Sequence, residues 1–132
     1  MYYVGIDIAK HKHEASIIDP SGKLMSGSVS FANTKEGCDK LIALFAKLGI
    51  AKNDIVVGME ATGHYWLSLY SYLLEIGYDL KVINPIQSDA FRKMYIRKTK
   101  NDSKDSFVIA QIMRFGEYSA TRLSDENILT RQ

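Results

Sequence analysis

One cysteine, Cys38, stands in 132 residues. That excludes an intrachain disulfide framework and a multi-cysteine zinc centre. The residue is expected to pack as a small apolar side chain in a helix. No apolar run reaches the roughly 20 residues that a membrane helix needs. Met1-Tyr2-Tyr3-Val4-Gly5-Ile6-Asp7 meets a charge too early for a secretory leader. Internal repeats and low-complexity segments are also missing. The expectation from these absences is a cytoplasmic protein with no membrane partner. Net charge is only +2, so the chain as a whole carries no polycationic signature.

Apolar residues make up 46% and charged residues 24% of the chain, which suits one soluble domain with a real core. Its positive charge is unevenly spread. Arg92, Lys93, Arg97, Lys98, Lys100 and Lys104 crowd into thirteen residues. Such a cluster either contacts nucleic-acid phosphates or forms a solvated basic face. Two acids three residues apart accompany it: Asp102 lies within the cluster and Asp105 directly follows it.

In order, Tyr2 to Ala9 predicts a strand. Tyr2, Val4, Ile6 and Ile8 share one face; Tyr3, Gly5, Asp7 and Ala9 share the other. Apolar or small residues on both faces mark a central strand. Asp7 is then anomalous, because a carboxylate there is costly unless paired or metal-bound. Lys10 to His13 predicts a turn, Glu14 to Asp19 a second strand, Pro20 to Lys23 a tight turn, and Leu24 to Phe31 a third strand. Short connections make these an antiparallel meander.

Asn33 and Glu36 have capping-box spacing, and a helix with Leu41, Ile42, Leu44, Phe45 and Leu48 follows until Gly49. Asp54 to Met59 predicts a buried strand ending at Glu60. Tyr65 to Ile76 predicts a helix, and Leu80 to Ile83 a fifth strand stopped by Asn84-Pro85. Ile86 to Tyr95 has weaker helical character, and a basic loop is expected after it. A last helix begins near Asn101 and ends about Phe115. Its face through Ile109, Ile112 and Met113 is the one a helix turns to its core. Ser124 to Asn127 starts another helix, which the chain end leaves about two turns long.

The simplest sheet for this order is five-stranded and mixed, 3-2-1-4-5, with helices on both faces and strands 1, 4 and 5 parallel. Asp7 and Glu60 then lie at the carboxyl ends of neighbouring strands, where open α/β sheets place their chemistry. Asp102 and Asp105 either cap the last helix or join Asp7 and Glu60 around a hard divalent cation such as Mg²⁺ or Mn²⁺. Bare carboxylates at close range repel, so a cation would relieve the cluster.

Three ordered motifs also carry a family resemblance. They are Gly5-Ile6-Asp7-Ile8-Ala9-Lys10, Met59-Glu60-Ala61-Thr62-Gly63 and Arg97-Lys98-Thr99-Lys100-Asn101-Asp102-Ser103-Lys104-Asp105. Together they resemble the N-terminal part of the DEDD transposases of the bacterial insertion-sequence family one-ten, relatives of the Piv DNA invertase. Asn101 departs from the pattern, which commonly reads Thr there. The resemblance implies a ribonuclease H-like, RuvC-like fold, with Asp7, Glu60, Asp102 and Asp105 as ligands of two Mg²⁺ or Mn²⁺ ions. It implies DNA as substrate, a structured bridge RNA as guide, and a homo-oligomer in the full-length protein. It also implies a bacterial cytoplasmic location. Residues 1–116 would form the catalytic domain. Residues 117–132 would begin a helical linker to a C-terminal domain that carries a serine acting in strand exchange.

Other residues support competing readings. Lys10, beside Asp7, either touches a phosphate or pairs with Asp7. His64 approaches the site or is an ordinary loop histidine. Tyr65, Trp66 and Tyr70 stack on bases or pack in the core. Ser103 and Ser106 lack the base partner of a nucleophile. An actin-like or sugar-kinase-like phosphotransferase shares the topology and a Gly-x-Asp near its N-terminus. It would usually place glycines where Ile8-Ala9-Lys10-His11 stands. A non-catalytic nucleic-acid-binding module is the third reading.

Overall fold

The computed structural model describes residues 1–99 and 105–116. Five strands form one sheet in the order β3-β2-β1-β4-β5. They are β1 (Tyr2–Asp7), β2 (Lys12–Ile18), β3 (Leu24–Ala32), β4 (Ile55–Glu60) and β5 (Asp79–Ile83). Strands β2 and β3 run antiparallel to their neighbours, and β4 pairs in parallel with both β1 and β5. This is the expected order and sense. Among the described residues, four α-helices accompany it: α1 (Lys35–Lys47), α2 (Trp66–Glu75), α3 (Pro85–Thr99) and α4 (residues 105–116).

The alternation along β1 divides the core in two. Val4 and Ile6 face α1 and α2, in a cluster with Ala15, Ile17, Leu41, Phe45, Val57, Met59, Leu69 and Leu73. Tyr3 faces the other way and packs with Ile18, Val56, Ile83, Phe107, Ile109, Ala110 and Met113. Burying both faces of a strand requires near-continuous apolar sequence, which β1 and β4 supply. Phe107, Val108, Ile109 and Ala110 are all buried, so α4 is enclosed on more than the single stripe its sequence suggested.

Helix α4 approaches the sheet closely because glycines clear its path. Gly5 and Gly58 are register partners on β1 and β4. A β-carbon on Gly5 would lie 2.0 Å from the Ser106 carbonyl oxygen and 2.5 Å from the Ala110 nitrogen. Beside Gly5 on β2 sits Ser16, where the β2–β3 register shifts. Its hydroxyl shares a buried 2.6 Å hydrogen bond with that of Ser106. Towards its C-terminus, α4 holds the β2–β3 turn. Gln111 Nε2 donates to the Gly22 carbonyl at 2.8 Å, and Arg114 Nε donates to the Pro20 carbonyl at 3.1 Å.

Two local expectations are corrected. Thr34, not Asn33, caps α1, accepting from the Gly37 amide at 3.0 Å. Asn33 serves a tertiary role instead: its Oδ1 lies 2.8 Å from His13 Nε2 and its amide donates to the Lys10 carbonyl. Helix α3 runs on to Thr99, so Arg97 and Lys98 are helical rather than in a loop. The expected helix start at Ser124 to Asn127 lies outside the described residues.

Candidate metal centre at the carboxyl end of the sheet

Asp7 is the last residue of β1 and Glu60 the last of β4. Both share the parity of Gly5 and Gly58, so both belong to the α4 side of the sheet. Asp105 is the first described residue of α4. The row Ser16–Gly5–Gly58, over which α4 crosses, thus brings the start of α4 to the end of the sheet where Asp7 and Glu60 lie. Asp102 falls outside the described residues.

A further acid stands in the same place. Glu14 on β2 is the register partner of Asp7. In the sequence it is only the first residue of the second expected strand. The expected turn over Lys10 to His13 would have set Ala9 opposite Glu14; the observed register sets Asp7 there instead.

The electrostatics record this convergence. Asp7 is half-buried, and burial pushes its carboxyl above the usual carboxylate range. Negative charge on Asp105, Glu14 and Glu60 pushes it further in the same direction, and the Arg92 guanidinium opposes them. Glu60 is oriented from α3: Ser88 Oγ donates to its Oε2 at 2.8 Å and to the Pro85 carbonyl at 3.0 Å. Asp105 is turned towards α3, where its Oδ1 lies 2.5 Å from Arg92 Nη1.

Among the described residues, no three His, Cys, Asp or Glu side chains are gathered tightly enough to hold a metal ion. Asp105 is engaged by Arg92. In kind, however, the donors fit a hard divalent cation: all are carboxylate oxygens, and their mutual repulsion is felt at Asp7.

The other predicted residues are more dispersed. Lys10 is exposed in the β1–β2 turn, and Lys93 is exposed on α3. Arg97 and Lys98 lie in the last turns of α3. Lys100 and Lys104 fall outside the described residues, as does Ser103. His64 is exposed and lies against Tyr65, with ring centroids 4.5 Å apart. Trp66 donates to the Gly63 carbonyl and packs edge-on against Tyr70, and both rest on the α1–α2 core. Ser106 is wholly buried on Ser16. His13, read as part of a turn, is a buried member of β2.

A 3-2-1-4-5 mixed sheet with helices on both faces and acids at the ends of β1 and β4 fits a RuvC-like, ribonuclease H-type fold, and comparison with solved structures shows that fold. The structure of T. thermophilus RuvC in complex with a Holliday junction substrate aligns with a TM-score of 0.64 at 10% identity, over 90% of this chain and 96% of that one. The chain belongs to the IS110-type DEDD transposase family, whose model, described as "Transposase", matches residues 4–130. The "Pilin gene-inverting protein" of Moraxella lacunata is 27% identical over 109 residues, covering 83% of this chain and 33% of that protein. Its counterpart in Moraxella bovis matches to the same extent. The chain therefore spans about a third of the length of these relatives. No helix among the described residues is long and apolar enough to cross a membrane.

Proposed function

We propose that this chain is the metal-dependent catalytic domain of a DNA transposase, acting on DNA phosphodiester bonds during insertion-sequence transposition. The observation that carries the reading is that Asp7 and Glu60 end the neighbouring parallel strands β1 and β4 on the side of the sheet that α4 covers, with Glu14 paired to Asp7. In this reading Asp7, Glu60, Asp102 and Asp105 hold Mg²⁺ or Mn²⁺, with two ions as the full complement. What such ions supply is activation of the attacking oxygen and neutralisation of the leaving one.

The chain's own residues do the placing. Ser88 fixes the Glu60 carboxylate. The glycine row and the Ser16–Ser106 hydrogen bond fix the height and register of α4, and hence of Asp105. Lys10, Arg92, Lys93, Arg97, Lys98, Lys100 and Lys104 supply positive charge for the phosphates of DNA and of a structured guide RNA. The family supports the reading of DNA as substrate. Residues 1–116 form the catalytic unit; residues 117–132, expected to begin a linker, lie outside the described residues. The full-length protein works as a homo-oligomer in the bacterial cytoplasm.

Thermal unfolding in EDTA and in millimolar Mg²⁺ or Mn²⁺, for the wild type and Asp7→Asn, tests this. A metal-dependent rise in Tm that Asp7→Asn abolishes is the expected result. No rise in the wild type, with or without a short DNA duplex, would refute the metal-dependent reading.

A further inference from the structure

Arg92 links two elements that the sheet does not join. It rises from α3 and its Nη1 reaches Asp105 Oδ1 at the start of α4, 2.5 Å away. The pair is accessible, with side chains 31% and 47% exposed. The charge of Arg92 is also felt at Asp7, on the end of β1. A single guanidinium thus faces the acidic end of the sheet and occupies a carboxylate that the metal-site reading assigns to a cation.

A guanidinium and a divalent ion make the same demand on a carboxylate. Both need its lone pairs, and each removes the repulsion among neighbouring acids. Oδ1 of Asp105 cannot serve both in one geometry. We propose that Arg92 is a resident counter-cation at this site, holding Asp105 until a divalent ion displaces it, so that metal entry and release of Arg92 form one exchange. The inference rests on the metal-site reading above. It adds that Arg92 opposes metal binding and, once displaced, is free beside exposed Lys93 for a nucleic-acid phosphate. By linkage, a phosphate that draws Arg92 away tightens metal binding by the factor with which metal tightens phosphate binding.

The competing view is a fastening role. Phe91, next in sequence, meets Phe115 of α4 at 5.9 Å between ring centroids, so this region of α3 also contacts α4 by packing. A mere fastener would stabilise the domain equally with and without metal. A counter-cation stabilises only the metal-free protein.

Calorimetric titration of the chain with Mn²⁺ separates the two, using wild type, Arg92→Gln, Arg92→Lys and Asp7→Asn. An accessible ion pair is weak, so its removal is expected to tighten Mn²⁺ binding by about two- to fivefold. Arg92→Lys, which keeps the charge but loses the planar fork, falls between. Thermal unfolding gives the second readout. Arg92→Gln is expected to lower Tm in EDTA and to recover most of that loss at saturating Mn²⁺. If Mn²⁺ binds the wild type and not Asp7→Asn, yet binds Arg92→Gln equally or more weakly, the exchange is refuted and the metal site stands. If neither wild type nor Arg92→Gln binds Mn²⁺, both fall.

Discussion

Gly5 and Gly58 face each other across the β1–β4 pairing, and α4 crosses the sheet over them. Their contacts with α4 are unequal. A β-carbon on Gly5 would strike backbone atoms of Ser106 and Ala110, whereas one on Gly58 would strike the flexible side chain of Met113. The first cannot be relieved unless α4 lifts from the sheet, and Asp105 would move with it.

Gly5→Ala is therefore expected to cost about 3 kcal/mol of stability, the upper end of ordinary overpacking, and Gly58→Ala about 1 kcal/mol. Chemical denaturation of the two variants measures the difference. Equal costs would mean that α4 adjusts as easily over β1 as over β4.

The Ser16–Ser106 hydrogen bond is wholly buried and joins residues far apart in sequence. Removing one hydroxyl strands the other. Ser16→Ala and Ser106→Ala should each cost about 1–3 kcal/mol, and the double variant clearly less than their sum. Additive losses in a double-mutant cycle would show that the two hydroxyls do not depend on each other.

His13 predicts a pH dependence. Its Nδ1 accepts from the Ala9 amide at 3.1 Å, so the proton of the neutral ring sits on Nε2, facing Asn33 Oδ1. A second proton on Nδ1 would oppose the Ala9 N–H. Burial lowers the ring below its ordinary value, and the hydrogen bond to Asn33 only partly offsets this. The unfolded chain therefore binds more protons at this position in mild acid. Stability from His13 is complete above pH of about 6.5 and falls as pH drops below it, levelling off under the lowered folded value. His13→Gln should flatten the slope of stability against pH between about 5 and 7. An unchanged slope would locate the dependence elsewhere.

Cys38 is buried in α1, and its thiol is pushed up to about 11, by burial first and by the charge of Asp39 second. Thiolate is the reactive form. Labelling with a thiol reagent at neutral pH should be slow in the folded protein and should accelerate with denaturant. Rapid labelling under native conditions would contradict the packing of α1 on the sheet.

Much of this arrangement was legible in the sequence, for physical reasons. Two-sided apolar pattern in β1 and β4 marked the centre of the sheet, short turns forced the meander, and Asp7 stood out because a central strand does not tolerate a lone carboxylate. Asn33 misled because capping spacing is local, whereas its side chain is committed to His13 and the Lys10 carbonyl across the fold. The extent of α3 was obscured by its weak amphipathic pattern; only the folded chain shows α3 continuing through Arg97 and Lys98. Glu14 and the Arg92–Asp105 pair depend on register and on the placement of α3 against α4, which no spacing along the chain encodes.

The most direct measurement is paramagnetic broadening of amide resonances by substoichiometric Mn²⁺, residue by residue. Broadening centred on Asp7, Glu60 and Asp105, reaching Glu14 and absent from Asp7→Asn, is the predicted result. Broadening centred instead on an acid such as Asp19 or Asp39, or none at any residue, would contradict a metal site at the carboxyl end of the sheet.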